Sequence, residues 1–182
     1  MYTLVTTRFN NITWESNKKY RTKYKLPGCI YGSPQEMSPK ILDNSLVFVV
    51  EMNNDTDNIE GIGLVKNRPY LDNNYIIYED GNYNRFVYKS NYRLERNKLI
   101  NYNSVLVKVL EYILFGEKSH LKRGSGFTTI TNKFLKSKKH EKCKKLVLNK
   151  IIEQIVAYFK KEYSLIQSQN ENNRENIELS ST

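Results

Sequence analysis

Two short stretches of this chain carry residue types suited to binding a ligand. The first is the aromatic turn Ile30-Tyr31-Gly32-Ser33-Pro34, preceded by Pro27-Gly28. It offers a ring face, a small residue that leaves room in front of it, and hydroxyl groups for hydrogen bonds. The second is the basic glycine loop Ser119-His120-Leu121-Lys122-Arg123-Gly124-Ser125-Gly126. Lys122 and Arg123 can neutralise phosphates, and the Gly-Ser-Gly turn at Ser125 lets backbone N–H groups approach an oxyanion. Lys136, Lys138 and Lys139 follow in a lysine-rich run that would add sequence-independent attraction for a polyanion.

The charge distribution agrees with the second stretch. Net charge is +10, and Lys108 to Lys161 holds 14 Lys/Arg against 4 Asp/Glu, while the other residues hold 15 of each. The whole excess therefore lies in one third of the chain. Such a localised field points to nucleic acid before membrane, because no Trp/Phe-rich amphipathic anchor accompanies it. A solvated lysine-rich face is the plainer reading. No apolar run approaches the roughly 18–20 residues that span a bilayer, and the N-terminus lacks the layout of a secretory signal. Cys29 and Cys143 are too few for a disulfide scaffold, so the expected setting is intracellular, cytoplasm or nucleus.

Catalytic chemistry finds little support. A hydrolytic triad needs a nucleophile with a positioned His base, and only His120 and His140 are present, with no nucleophile-elbow motif. The Lys122–Gly126 loop lacks the ends of a P-loop, and the acidic run Asn53–Asn58 lacks the glycine and glutamate of an EF-hand. His140 and Cys143 form the one close pair of zinc-type ligands, whereas structural zinc sites show two. The expectation is a non-enzyme with no cofactor and no metal.

The elements that must position these residues follow from periodicity. Tyr2–Thr7 suits a first strand, and Cys29-Ile30-Tyr31 a short one ending at the turn. Phe9–Leu26 reads as a loop with at most a helical turn after Thr13, and Ser38-Pro39 as the start of a short helix. Leu46–Val50 and Ile62–Val65 read as an antiparallel pair joined by the polar connection 53–58, with Gly61 and Gly63 marking a bulge or a close backbone approach. Tyr75–Tyr78 and Arg85–Tyr88 form a second candidate pair around the turn Glu79-Asp80-Gly81-Asn82, and Tyr92-Arg93-Leu94 would extend the sheet. Helical spacing runs from Leu106 to Ile113, capped by Asn103 or Ser104 and ended by Gly116. Phe127–Thr131 is β-prone. A helix of about 15–20 residues begins near Lys144, with Leu148, Ile151/Ile152, Ile155 and Phe159 on one face. Three segments result: a domain over 1–131, a basic segment with a C-terminal helix over 132–166, and a disordered tail over 167–182.

The order of first strand, aromatic turn, short helix, strand, polar hairpin and Gly-x-Gly strand resembles the PUA-like superfamily, closest to its YTH and EVE branches. The resemblance rests on Gly28–Pro34, on Leu46–Val50 followed by Gly61–Val65, and on Asn84–Arg93 as the later strand. It covers roughly Tyr2 to Ile100. The Asn/Lys/Ile-rich composition resembles that of proteins of large A/T-rich DNA viruses. The fold implied is α+β: a small PUA-like β-barrel or strongly curved mixed sheet with two to four helices packed on it. The function implied is a nucleic-acid-binding module, RNA in preference to DNA, that takes an unpaired or flipped and potentially modified base in a pocket near Tyr31. Tyr31 would stack, standing where YTH proteins carry Trp. Ser33 or the backbone of Ile30 and Gly32 would read the base edge. Trp14 is either a cage wall or a core plug. The competing reading is a structural or assembly protein whose C-terminal helix makes its contact, including a homo-oligomer through residues 146–159.

Overall fold

The computed structural model describes residues 2–116, 121–136 and 147–180, with side chains through Leu165. The protein is α+β. Strands β1 (Tyr2–Phe9), β3 (Leu46–Asn53), β4 (Asn58–Lys66), β6 (Tyr92–Glu95) and β7 (Thr128–Thr129) form a five-stranded mixed sheet in the order β6-β4-β3-β1-β7. Strands β2 (Cys29–Ser33) and β5 (Phe86–Ser90) pair antiparallel as a separate two-stranded sheet. The described strands make no closed barrel. Among the described residues four helices surround the sheets: α1 (Asn11–Lys23), α2 (Arg96–Phe115), α3 (Asn132–Lys136) and α4 (Leu148–Ser180).

Side-chain alternation along the central strands builds two cores. Leu4, Phe48, Val50, Ile62 and Leu94 face α2 and α4, meeting Leu110, Ile113, Ile151, Ile155 and Phe159. Val5, Phe9, Val47, Val49 and Val65 face the other way, toward Trp14, Ile30, Tyr31, Val87 and Tyr88. The five-stranded sheet is thus buried on both faces, which is why Leu46–Val50 reads as a continuous apolar run rather than an alternating one.

The central hairpin forms as the sequence implies, with Val47 opposite Val65 and Val50 opposite Ile62. The register shifts between Glu51 and Met52, where Gly61 and Ile59 stand opposite and Glu60 is the extra residue. Both glycines mark close approaches. A Cβ on Gly63 would fall 2.1 Å from the Tyr31 hydroxyl oxygen and 2.6 Å from Cys29 Sγ; one on Gly61 would fall 2.7 Å from Glu51 Oε2.

Several local expectations are corrected. Residues 11–23 form a helix instead of a loop, because Asn10 and Thr13 close a capping box and Trp14, Asn17 and Arg21 line one face. Ser38-Pro39 starts only a turn, closed by the Ile41 amide donating to the Ser38 carbonyl at 2.9 Å. Residues 75–78 are not a strand. The Asn84 side chain accepts from the Ile77 and Tyr78 amides, both at 3.0 Å, and donates to the Tyr78 carbonyl at 2.8 Å. That one side chain replaces the ladder a partner strand would supply. Strand β5 pairs with β2 instead, and residues 81–84 form a single 3₁₀ turn capped by Asp80. Helix α4 spans Leu148–Ser180.

Candidate functional site

Strand β2 carries the candidate turn, and its pleat sorts the residues to opposite sides. Tyr31 points between the two sheets and is fully buried. Its hydroxyl donates to Glu51 Oε1 at 2.7 Å, and Arg93 clamps the same carboxylate through Nε (2.9 Å) and Nη2 (2.7 Å). Burial pushes the Tyr31 hydroxyl well above its ordinary pKa, so it stays a donor. Burial would lower Arg93, but the Glu51 carboxylate outweighs it and raises the guanidinium. Tyr31 is therefore the hydrogen-bonded core of the fold and presents no face for stacking.

The other sequence candidates divide. Ile30 is buried, with its carbonyl accepting from Asn17 Nδ2 at 2.7 Å. Ser33 is buried and donates to the Gln35 carbonyl at 2.5 Å. Trp14 is a core plug: it packs edge-on against Phe9 (5.1 Å), with the Arg21 and Arg93 guanidinium groups 5.4 and 5.5 Å from its ring centroid. Gly32 points the opposite way to Tyr31 and lines a cleft of about 270 Å³.

That cleft brings the two sequence stretches together. The end of β1, Gly32, Tyr78, Tyr83 and Asn54 form one side, and Lys122, Gly124, Ser125 and Gly126 form the other. Glycines make the approach feasible: Gly124 and Gly126 adopt φ of +102° and +67°, and a Cβ on Gly126 would fall 2.7 Å from Ser33 Oγ. Arg8 fastens the loop, donating to the carbonyls of Leu121 and Gly126 (3.2 Å to the latter) and to Thr128 Oγ1.

Inside the cleft, Tyr78 and Tyr83 stand nearly perpendicular, with centroids 6.5 Å apart and planes at 83°. Of the two, Tyr83 is the ring with exposed surface for a planar ligand, since Tyr78 is largely buried. Tyr78 is held by Asn17 Nδ2 at 3.1 Å and by the Gly32 backbone, and burial raises its hydroxyl to about 12. Tyr83 is an exposed lip. Asn54 is oriented by its Nδ2 donating to the Lys122 carbonyl at 3.0 Å, which leaves Oδ1 as a buried acceptor with no hydrogen-bond partner among the described residues. An unpaired buried acceptor costs roughly 1–3 kcal/mol until something donates to it.

Lys122 pairs with Asp57 at 2.5 Å, so an incoming phosphate has to compete for it. Arg123 and Lys136 are exposed and do not line the cleft. Lys138, Lys139, His120, His140 and Cys143 lie outside the described residues. Sequence reading passes over Asn54, which sits in the hairpin connection, and over Tyr78 and Tyr83, which flank an apparent turn. Among the described residues no cluster of three His, Cys, Asp or Glu could hold a metal, and no helix is long and apolar enough to cross a membrane.

A scan against protein-family models, a search of curated proteins and a search of solved structures each return no match to this chain.

Proposed function

We propose that the protein is a PUA-like, non-catalytic nucleic-acid-binding module that works inside the cell. It takes one unpaired base of RNA or single-stranded nucleic acid into the Tyr78–Tyr83 cleft. The observation that carries this reading is a cleft lined by Tyr78, the exposed Tyr83 and Asn54 and closed by the Lys122–Gly126 loop, with Asn54 Oδ1 lacking a hydrogen-bond partner among the described residues. A base stacked on the exposed Tyr83 would donate an exocyclic amine or ring N–H to the Asn54 side chain, pairing its acceptor. The cleft volume, about 270 Å³, falls just under the roughly 300–1,000 Å³ of drug-sized ligand sites. A single base suits it better than a dinucleotide. Support for the architecture comes from the strand order: β1 lies parallel to β3, the hairpin β3–β4 follows, and β6 adds to β4.

Specificity and strength separate in this reading. Tyr83, Tyr78 and Asn54 choose the base, while Lys122, Arg123 and the lysine-rich run after them hold phosphates without regard to sequence. Fluorescence anisotropy with single-stranded homopolymers at several salt concentrations tests it. Tyr83→Ala should cost about 1–3 kcal/mol for the preferred base and less for the others. Lys122→Ala with Arg123→Ala should weaken all sequences alike and flatten the salt dependence by about one unit of slope per lost phosphate contact. Asp57→Asn, which releases Lys122, should tighten binding. Equal losses on every base for Tyr83→Ala would remove the cleft from the reading.

The assembly-protein alternative gains no support from the described apolar face of α4. Ile151, Ile155 and Phe159, the face it would use, are buried against the chain's own sheet, with Phe159 5.1 Å from Phe48.

A further inference from the structure

Away from the base cleft, the surface carries a second set of aromatic residues. Two adjoining clefts of about 390 and 590 Å³ share Leu26 and Lys89 and so form one groove. Tyr24, Tyr75, Tyr70 and Tyr92 lie along it, and Lys66 and Lys89 are its cationic residues. Tyr24, Tyr70 and Tyr92 are 52%, 41% and 48% exposed, far more than the hydroxyl alone requires. Among the described residues no Asp or Glu lines either cleft; Asp72 accepts from the Tyr75 hydroxyl at 3.1 Å and is not part of the lining. A further cleft shares Tyr70 and Tyr75 with this groove and Tyr78 with the base cleft. The groove and the base cleft are thus neighbours through this third cleft, whose lining also includes Glu79.

We infer that this tyrosine–lysine groove is a track for the single strand flanking the captured base, with bases on the rings and phosphates on Lys66 and Lys89. The inference rests on the nucleic-acid reading of the base cleft and adds where the rest of the strand runs. Lys89 shows the local chemistry. Its ammonium lies 4.6 Å from the Tyr70 centroid and 4.8 Å from that of Tyr75, and donates to the Tyr75 hydroxyl at 2.7 Å. A cation placed between the exposed Tyr70 and the buried Tyr75 sets a phosphate partner beside a base platform, as a strand in which bases and phosphates alternate requires. Tyr20 packs on Tyr24 with centroids 4.5 Å apart, which holds that ring in place. The carboxylate-free lining sets the groove against a basic peptide. Its tyrosines, whose hydroxyls keep water, suit base stacking better than burial in a dry protein interface.

The test uses two ligands and two variants of the full chain: a nucleoside monophosphate, and a single strand of roughly 15 nucleotides, near the upper end of single-strand site sizes. Tyr24→Ser combined with Tyr70→Ser changes exposed rings only, and a thermal melt matching the parent confirms its fold. It should weaken the long strand by at least about fivefold per ring lost and leave monophosphate binding unchanged. Tyr83→Ala should weaken both ligands. A long strand bound equally by the parent and the Tyr24/Tyr70 variant, with Tyr83→Ala still weakening it, overturns the groove and leaves the base cleft standing. Loss of the long strand in the Tyr24/Tyr70 variant, with no monophosphate binding by the parent, supports the groove and overturns the base cleft. No binding of either ligand by the parent overturns both.

Discussion

Tyr31, Glu51, Arg93 and Gly63 form a unit in which each residue constrains the next. The hydroxyl of Tyr31 reaches the Glu51 carboxylate across the gap between the two sheets, and it can do so only because residue 63 has no side chain. Gly63→Ala should therefore destabilise the fold by about 1–3 kcal/mol, the range for overpacking a filled core. Removing the hydroxyl with Tyr31→Phe relieves the closest of the clashes, with Cys29 Sγ at 2.6 Å still in the way, and leaves Glu51 one donor short, so the two changes are non-additive. Urea denaturation of both single variants and the double should show the double costing less than the sum. Additive costs would mean the hydroxyl and residue 63 do not meet. A tyrosine in a glycine-rich aromatic turn looks like a binding residue in sequence; the pleat decided otherwise, burying position 31 and turning Gly32 to the cleft.

Helix α2 illustrates what element-level signals can carry. The change of period at Asn103–Ser104 in the sequence corresponds to a real break: Asn103 has φ −164° and ψ 91° inside an otherwise continuous helix. Its Oδ1 accepts from the Leu106 amide at 2.9 Å, capping the second half, while its Nδ2 donates to the Tyr158 hydroxyl on α4 at 3.2 Å. Asn103→Ala should cost about 0.5–2 kcal/mol through the lost cap, with faster hydrogen exchange concentrated in residues 104–110. Asn103→Asp, which keeps the acceptor, should recover most of it. Unchanged exchange in Asn103→Ala would refute the capping role. Element signals misled where a side chain stood in for backbone pairing. Tyr75–Tyr78 has the composition of a strand, yet Asn84 satisfies its polar groups, and nothing in the local pattern marks that substitution.

At the scale of the whole molecule, the gap between the five-stranded and two-stranded sheets holds several groups protonated. Burial raises Cys29 from its ordinary 9.0 to about 11 and Tyr78 from 10.0 to about 12, and raises Tyr31 as well. These groups lose protons more readily when unfolded, so the folded chain binds more protons at alkaline pH and stability falls as pH rises. Their contribution is intact below about pH 9 and is lost progressively between pH 9 and 12, where the cited values lie. Denaturation midpoints measured across that range should decline, with tyrosinate absorbance appearing together with unfolding. A flat midpoint up to pH 11 would contradict the burial of these groups. At the same scale, charge and specificity lie apart: the excess of Lys/Arg follows Val107, while the two tyrosines of the cleft come from residues 78–83.

The sequence by itself determined the features that depend on neighbours along the chain: the central hairpin with its glycine-marked bulge, the capped second half of α2, the buried face of α4 at Ile151, Ile155 and Phe159, and the localisation of positive charge. Periodicity, capping and composition are local quantities, so one sequence suffices to read them. Tertiary structure alone decided which side of β2 faces the cleft, that β5 pairs with β2, and that Asn54, Tyr78 and the Lys122–Gly126 loop converge on Gly32. Those outcomes follow from a pleat of period two, where one position separates core from surface, and from contacts between residues as far apart as Asn54 and Lys122. Neither leaves a mark in the local pattern of residues.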